Sequence, residues 1–280
     1  MVVPKTYGPT HNHRHLTLLA VDEHTEAGAR EWEALRERDA GLRACRSPGE
    51  AREWVKRSLA EELAKIPADN LVIFSSEQLS QRLLRRDEVV RLRMALEQLG
   101  LRTVRVVVYL REQVGLSLSW ESMELIAGQQ TQAPKSMFDH QKLLERWEYA
   151  WGRERLVART YAKRYLEKGD VVQDFAKNAM FLSGEFFKTE GQIRRNGRLG
   201  REGVSLLRKS NHWLPEGLPK PVIKACRSAI LEISMQDWFN RNPMQASSSE
   251  IRALEIQFAS SNRWVDQKYG THLVESFGTT

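Results

Sequence analysis

Residues 104–110 read Val-Arg-Val-Val-Val-Tyr-Leu, a run of β-branched and aromatic side chains broken by one arginine. A strand that lacks alternation toward water is covered on both faces, as in a parallel sheet. Parallel strands need helical crossovers, and helical patterns flank this run on both sides. Before it, Asp87 caps a segment whose Val89, Leu92, Leu96 and Leu99 recur at helical spacing, and Gly100 closes it. After it, helices are predicted from about Gln113 to Ala127 and from about Phe138 to Trp151, where Gly152 ends the second. Leu156-Val157-Ala158-Arg159-Thr160 then reads as a further strand.

The same alternation extends to both sides. Ser47-Pro48-Gly49-Glu50 has a capping serine, a proline in the first turn and a glutamate three residues on, and Val55, Leu59, Leu63 and Ile66 mark one face of the helix that follows. Leu71-Val72-Ile73-Phe74 is a short apolar run readable as a buried strand. Gly169-Asp170 caps a helix through Phe175. Beyond about residue 190 the chain turns polar and helical: Asn196 to Asn211, Pro219 to Phe239, and a helix opened by the capping box Ser247-Ser248-Ser249-Glu250 with Ile251, Leu254 and Phe258 on one face. The pattern predicts an α/β fold in which Val72–Phe74, Val104–Leu110 and Leu156–Thr160 form a central parallel sheet flanked by helices. Without a clean linker or repeat, residues 1–280 read as one domain, with an α/β core over 1–190 and a helical portion over 191–280.

The net charge of +7 favours anionic partners: a nucleotide, an acidic glycan or a nucleic acid. No block of five like charges occurs, which argues against a nucleic-acid arm. No stretch approaches the roughly 18 apolar residues of a membrane span, and the start lacks the apolar core of a signal peptide. With only Cys45 and Cys226, far apart and without metal-ligand spacing, reduced thiols in a cytoplasm are expected.

Chemistry concentrates at the end of the valine-rich strand. Tyr109-Leu110-Arg111 delivers an arginine at its carboxyl end, and Ser119 follows eight residues later in the next helix. Ligands of open α/β sheets bind at such strand ends. Arginine forks onto phosphate oxygens, a hydroxyl donates to a third, and a helix N-terminus adds its dipole. The plainer alternative is an arginine that merely ends a strand and a serine on an ordinary helix. Glu77, just past the run 71–74, is a candidate general base for a hydroxyl's proton, or else a capping or exposed acid. His11, His13 and His15 alternate as ligands on an extended strand would, but no fourth ligand accompanies them, so no metal is expected. Arg194, Arg195, Arg198 and Arg201 offer a surface for an acidic acceptor, or a solvated face.

Tyr-x-Arg-x7-Ser after a valine-rich strand resembles the 3′-phosphate-binding motif of sulfotransferases that use 3′-phosphoadenosine 5′-phosphosulfate (PAPS). Ile73-Phe74-Ser75-Ser76-Glu77, Gly128, Tyr149-Ala150-Trp151-Gly152, Gly169-Asp170-Val171-Val172-Gln173-Asp174-Phe175 and Ser261-Asn262-Arg263-Trp264 are similar, in order and spacing, to elements of a bacterial branch of that family linked to surface glycans. The resemblance implies a P-loop-like parallel sheet, with Arg111 and Ser119 on the cosubstrate's 3′-phosphate. It also implies transfer of a sulfuryl group to a hydroxyl, on a carbohydrate, with no metal. The family's Lys-x-Gly-Thr-Thr/Ser loop has only Lys5-Thr6 with Gly8 and Thr10 as a counterpart, interrupted by Tyr7-Gly8-Pro9. An earlier start, with an apolar strand and that loop upstream of Met1, is therefore expected. The alternative is a truncated or degenerate relative that binds a nucleotide, such as 3′,5′-adenosine bisphosphate, or a partner without turnover. A nucleic-acid-binding protein is a third reading, against which stands the lack of a groove-reading motif.

Overall fold

The computed structural model describes residues 13–128, 138–179, 199–213, 220–236 and 241–277. Lys5, Thr6, Gly8, Thr10, His11, Arg194, Arg195 and Arg198 lie outside the described residues. In chain order the elements are a 3₁₀ helix (Arg14–Leu19), α1 (Glu26–Arg36), α2 (Ala40–Arg43), α3 (Pro48–Leu63), α4 (Gln78–Arg82), α5 (Arg86–Gln98), β1 (Val106–Leu110), α6 (Gln113–Ile126), α7 (His140–Trp151), β2 (Leu156–Thr160), α8 (Val171–Asp174), α9 (Arg201–Trp213), α10 (Lys220–Ser234), α11 (Ser248–Tyr269) and α12 (Leu273–Ser276). A π-helical turn, Phe175–Ala179, continues α8.

This architecture corrects the expected α/β, P-loop-like sheet. Helices dominate, and among the described residues there is one sheet of two strands, β1 beside β2. Tyr161 N donates to Leu110 O (2.7 Å) just past the carboxyl ends of both, so the two strands run in the same direction. The proposed third strand, Val72–Phe74, does not form; Val72 holds a single bridge position within an irregular stretch. The backbone of Ser75 is committed elsewhere. Its carbonyl accepts from His13 N (2.9 Å) and its amide donates to His13 Nδ1 (3.0 Å). A run of four apolar residues suits a strand or an irregular buried segment equally, and a long-range partner decides between them. β1 is also less enclosed than its composition suggests: Val106 to Tyr109 are half-buried and only Leu110 is buried. β2 buries alternate residues, Leu156, Ala158 and Thr160.

The local signals hold where they depend on neighbours in the chain. Ser47 accepts from Glu50 N (3.2 Å) while Glu50 accepts from Arg46 N (2.7 Å), so the start of α3 satisfies donors at both ends of the box. On α11 the box closes on the cap itself, since Glu250 accepts from Ser247 N (2.8 Å). Asp170 accepts from the amides of Val172 and Gln173 (both 2.9 Å) and caps α8. The expected Asp87 cap is corrected: Arg85 holds the cap position of α5 and Asp87 sits two residues inside it, in the first turn. Gly100 and Gly152 end their helices at φ 86° and 81°, a region costly for side chains other than glycine.

The chain divides into two compact units, 1–106 with 142–157 and 107–141 with 158–280. The first is organised around the 3₁₀ helix, whose buried Leu16, Leu18 and Leu19 are packed by α1, α3, α4 and α5. Its terminal carbonyls, which a helix end leaves without internal donors, are taken by arginines. Arg52 donates to Leu18 O (3.1 Å) and Val21 O (3.0 Å), and Arg91 donates to Ala20 O (2.7 Å). In the second unit α6 packs on α9 and α11, and α9 on α10. Leu125, Leu199, Val204 and Leu207 form a buried cluster there, with Ile230 and Leu231 against it. No described helix is long and apolar enough to cross a membrane.

Candidate functional site

The carboxyl end of β1 and the first turns of α6 lie together in the second unit, and this is where the sequence placed its phosphate site. Glu112 caps α6. Its buried carboxylate accepts from Val114 N (2.8 Å) and Gly115 N (2.6 Å). The anion-attracting end of the helix is therefore occupied by the chain's own anion.

Arg111 remains beside that turn. A Cβ on Gly115 would lie 2.4 Å from Glu112 Oε1, 2.6 Å from Arg111 Nε and 2.9 Å from Arg111 Nη2, so the capping carboxylate and the guanidinium both rest against the glycine. A side chain at position 115 would have to push aside the ends of these two side chains. Ser119 is exposed and stands four residues beyond Gly115, hence on the same face of α6 one turn along. Arg111 and Ser119 thus flank one patch of α6. Glu77 belongs to the first unit. It occupies the N-cap position of α4 without a side-chain capping bond, is exposed, and its carbonyl accepts from Ser80 Oγ (2.8 Å).

Behind the patch are three polar arrangements. His140, buried at the start of α7, places Nε2 2.8 Å from Arg111 O. Burial pushes its pKa down, against the upward pull of the Arg111 carbonyl, Asp139 and Glu112. Gln113 and Asn262, both buried, exchange side-chain amide bonds of 2.9 and 2.8 Å, and Gln113 Nε2 also donates to Phe138 O (3.1 Å). Asp174 gathers Tyr109 Oη (2.8 Å), both arms of Arg159, Glu167 N (3.0 Å) and Asn178 Nδ2 (3.0 Å). Burial alone would raise the Asp174 carboxyl, but the bonds from Arg159, Tyr109, the Glu167 amide and Asn178 outweigh it and hold the pKa below the ordinary value. Burial and Asp174 together push the Tyr109 phenol up. The tyrosine of the Tyr-x-Arg motif and the second aspartate of the Gly-Asp element are therefore structural partners.

Glu112, Gly115 and His140 were not singled out from the sequence. An acid directly before a helix with glycine three residues on is a readable cap, whereas the His140–Arg111 contact has no local signal. The first-unit histidines do not alternate on a strand: His13 is tied to Ser75, and His15 lies within the 3₁₀ helix 3.4 Å from Asp39. Among the described residues no group of three or more His, Cys, Asp or Glu is arranged to hold a metal ion.

No protein-family model, curated protein or solved structure matches the chain. With helices in place of the broad parallel sheet, and with the α6 amides filled by Glu112, the expectation that the chain transfers a sulfuryl group from PAPS is overturned.

Proposed function

We propose that this chain is a non-catalytic binding protein whose second unit takes a phosphate monoester on the Arg111–Ser119 patch, with 3′,5′-adenosine bisphosphate as the nucleotide of choice. On this reading the chain is a degenerate relative of the PAPS-using family that has kept one phosphate contact and lost turnover. The observation that carries it is the guanidinium of Arg111 laid over Gly115, with the exposed hydroxyl of Ser119 one helical turn away. A guanidinium fork and a hydroxyl suit a dianionic phosphate. Glu112 accepts from two amides at the helix end, so the patch takes one phosphate of the nucleotide and the helix end takes none.

Titration calorimetry with 3′,5′-adenosine bisphosphate tests this. Arg111→Gln is expected to weaken binding by about 1.5–3 kcal/mol, the range for a hydrogen bond to a charged group. Ser119→Ala is expected to cost less, about 0.5–1.5 kcal/mol, and inorganic sulfate to compete. Gly115→Ala is expected to displace the guanidinium and to act like a milder Arg111 variant. Equal affinity of the wild type and Arg111→Gln, or no binding by the wild type, would overturn the reading.

A further inference from the structure

We propose that His140 is a proton-sensitive latch on the Arg111 patch: neutral, it clamps the carboxyl end of β1 to the start of α7, and protonated it releases it. The inference rests on the reading that Arg111 is the ligand-binding arginine. It begins with three consecutive residues that tie separate elements together. His140 Nε2 lies 2.8 Å from Arg111 O, so this nitrogen carries the hydrogen and donates it. Its neighbour Asp139 accepts from Ser261 Oγ of α11 (2.9 Å), and Gln141 N donates to the same Ser261 Oγ (3.1 Å). The start of α7 therefore holds β1 through His140 and α11 through the residues on either side.

With Nε2 protonated, Nδ1 carries the lone pair. Nδ1 is buried and has no hydrogen-bond partner among the described residues. A proton arriving there makes an imidazolium whose second N–H finds no acceptor in place, in a site that excludes water. Among the described residues the charged groups acting on the ring are Glu112 from the β1–α6 junction and Asp139 from its own segment, while Arg111 meets it through its backbone carbonyl. Glu112 is engaged with the amides of Val114 and Gly115, and Asp139 with Ser261. Neither carboxylate can turn to the new N–H without breaking a cap or the α11 contact. Rotation of the ring toward water is the cheaper response. It removes the bond to Arg111 O and with it the constraint on the backbone that aims the guanidinium. Arg111 is the last residue before the α6 cap, so its peptide orientation sets where the side chain starts.

The test is run on the full chain between pH 8 and pH 5. Nitrogen-15 spectra of labelled histidine read the tautomer and titration of His140. Hydrogen exchange, corrected for the intrinsic pH dependence, reads protection of the amides of residues 112–116. The latch predicts an Nε2–H tautomer at pH 8 and a His140 midpoint below the ordinary value of about 6.5. Protection is expected to fall about tenfold or more with the same midpoint. His140→Gln keeps an N–H donor without titrating and should hold its protection across the range. Should that variant fail to fold, the wild type still decides, because the ring and amide midpoints must coincide. Equal loss of protection in His140→Gln and wild type, or a ring that titrates while the amides stay protected, would overturn the latch. Calorimetry with 3′,5′-adenosine bisphosphate at both pH values completes the test, with weaker binding at pH 5 in the wild type alone. No binding at pH 8 sinks the binding reading and leaves the exchange data to judge the latch.

Discussion

Arg159 grips both oxygens of Asp174, with Nε 2.6 Å from Oδ1 and Nη2 2.7 Å from Oδ2. The carboxylate is wholly buried, and the arginine is half-buried on β2. Tyr109 on β1 donates to the same carboxylate, so one aspartate from α8 braces both strands of the small sheet. A two-stranded sheet is marginal on its own. This node supplies cross-links that additional strands would otherwise provide.

Asp174→Asn should therefore be costly. It removes the charge that balances Arg159 and disturbs three further donors, and breaking a buried pair from one side typically costs about 3–5 kcal/mol. Urea unfolding is expected to show a loss of about 3 kcal/mol. A loss under about 1 kcal/mol would show that the node does not hold the sheet.

The Gln113–Asn262 pair joins the first turn of α6 to α11 across a gap of 149 positions in the chain. Gln113→Leu or Asn262→Leu alone leaves a buried amide without its partner and should cost about 1–3 kcal/mol. The double variant removes both polar groups together and should cost clearly less than the sum. A double-mutant cycle is expected to give a coupling of about 1 kcal/mol or more. Additive losses would mean that each amide finds other partners.

Acid should destabilise the protein in two stages. Burial lowers the pKa of His15 and of His140 despite nearby carboxylates. The unfolded chain then binds protons more readily than the folded one below about pH 6.5, so stability falls as pH drops through that range. Burial would raise the Glu31 carboxyl, but the hydrogen bond and charge of Arg14, with Thr17 and Arg82, outweigh it and lower the pKa, as Arg159 and its companions do for Asp174. Those two contributions are present above about pH 4 and vanish as pH falls below it. Thermal unfolding from pH 8 to pH 3 should show both declines, with His140→Gln diminishing the first and Asp174→Asn the second. A melting temperature unchanged between pH 8 and pH 5 would refute the first stage.

Much of the local structure was legible in advance. The Ser47 cap, the Ser247–Glu250 box, the Asp170 cap, the glycine stops at 100 and 152 and the strand runs read at 104–110 and 156–160, the first of which forms over 106–110, all depend on residues within a few positions of one another. The patch was legible in part. Ser119 lies one turn beyond Gly115, against which the Arg111 side chain rests, a four-residue spacing readable in the sequence, and the Glu112 cap that fills the helix end has a local signal too. Glu77 carried a strand-end argument that failed when Val72–Phe74 did not become a strand.

By itself the sequence determined most helix starts and stops and marked the two runs that do extend, along with a third, 72–74, that does not, because caps, φ preferences and side-chain periodicity act over one or two turns of chain. Tertiary structure alone decided how many strands pair and which buried polar groups meet. Strand pairing needs partners far apart in the chain, as 106–110 and 156–160 are. Ser75 gave its backbone to His13, 62 positions away, instead of to a sheet. The contacts Arg111–His140, Gln113–Asn262 and Tyr109–Asp174 likewise join residues 29, 149 and 65 positions apart. Such contacts are chosen by the cost of burying a polar group without a partner, a quantity that exists only once the chain has closed around it.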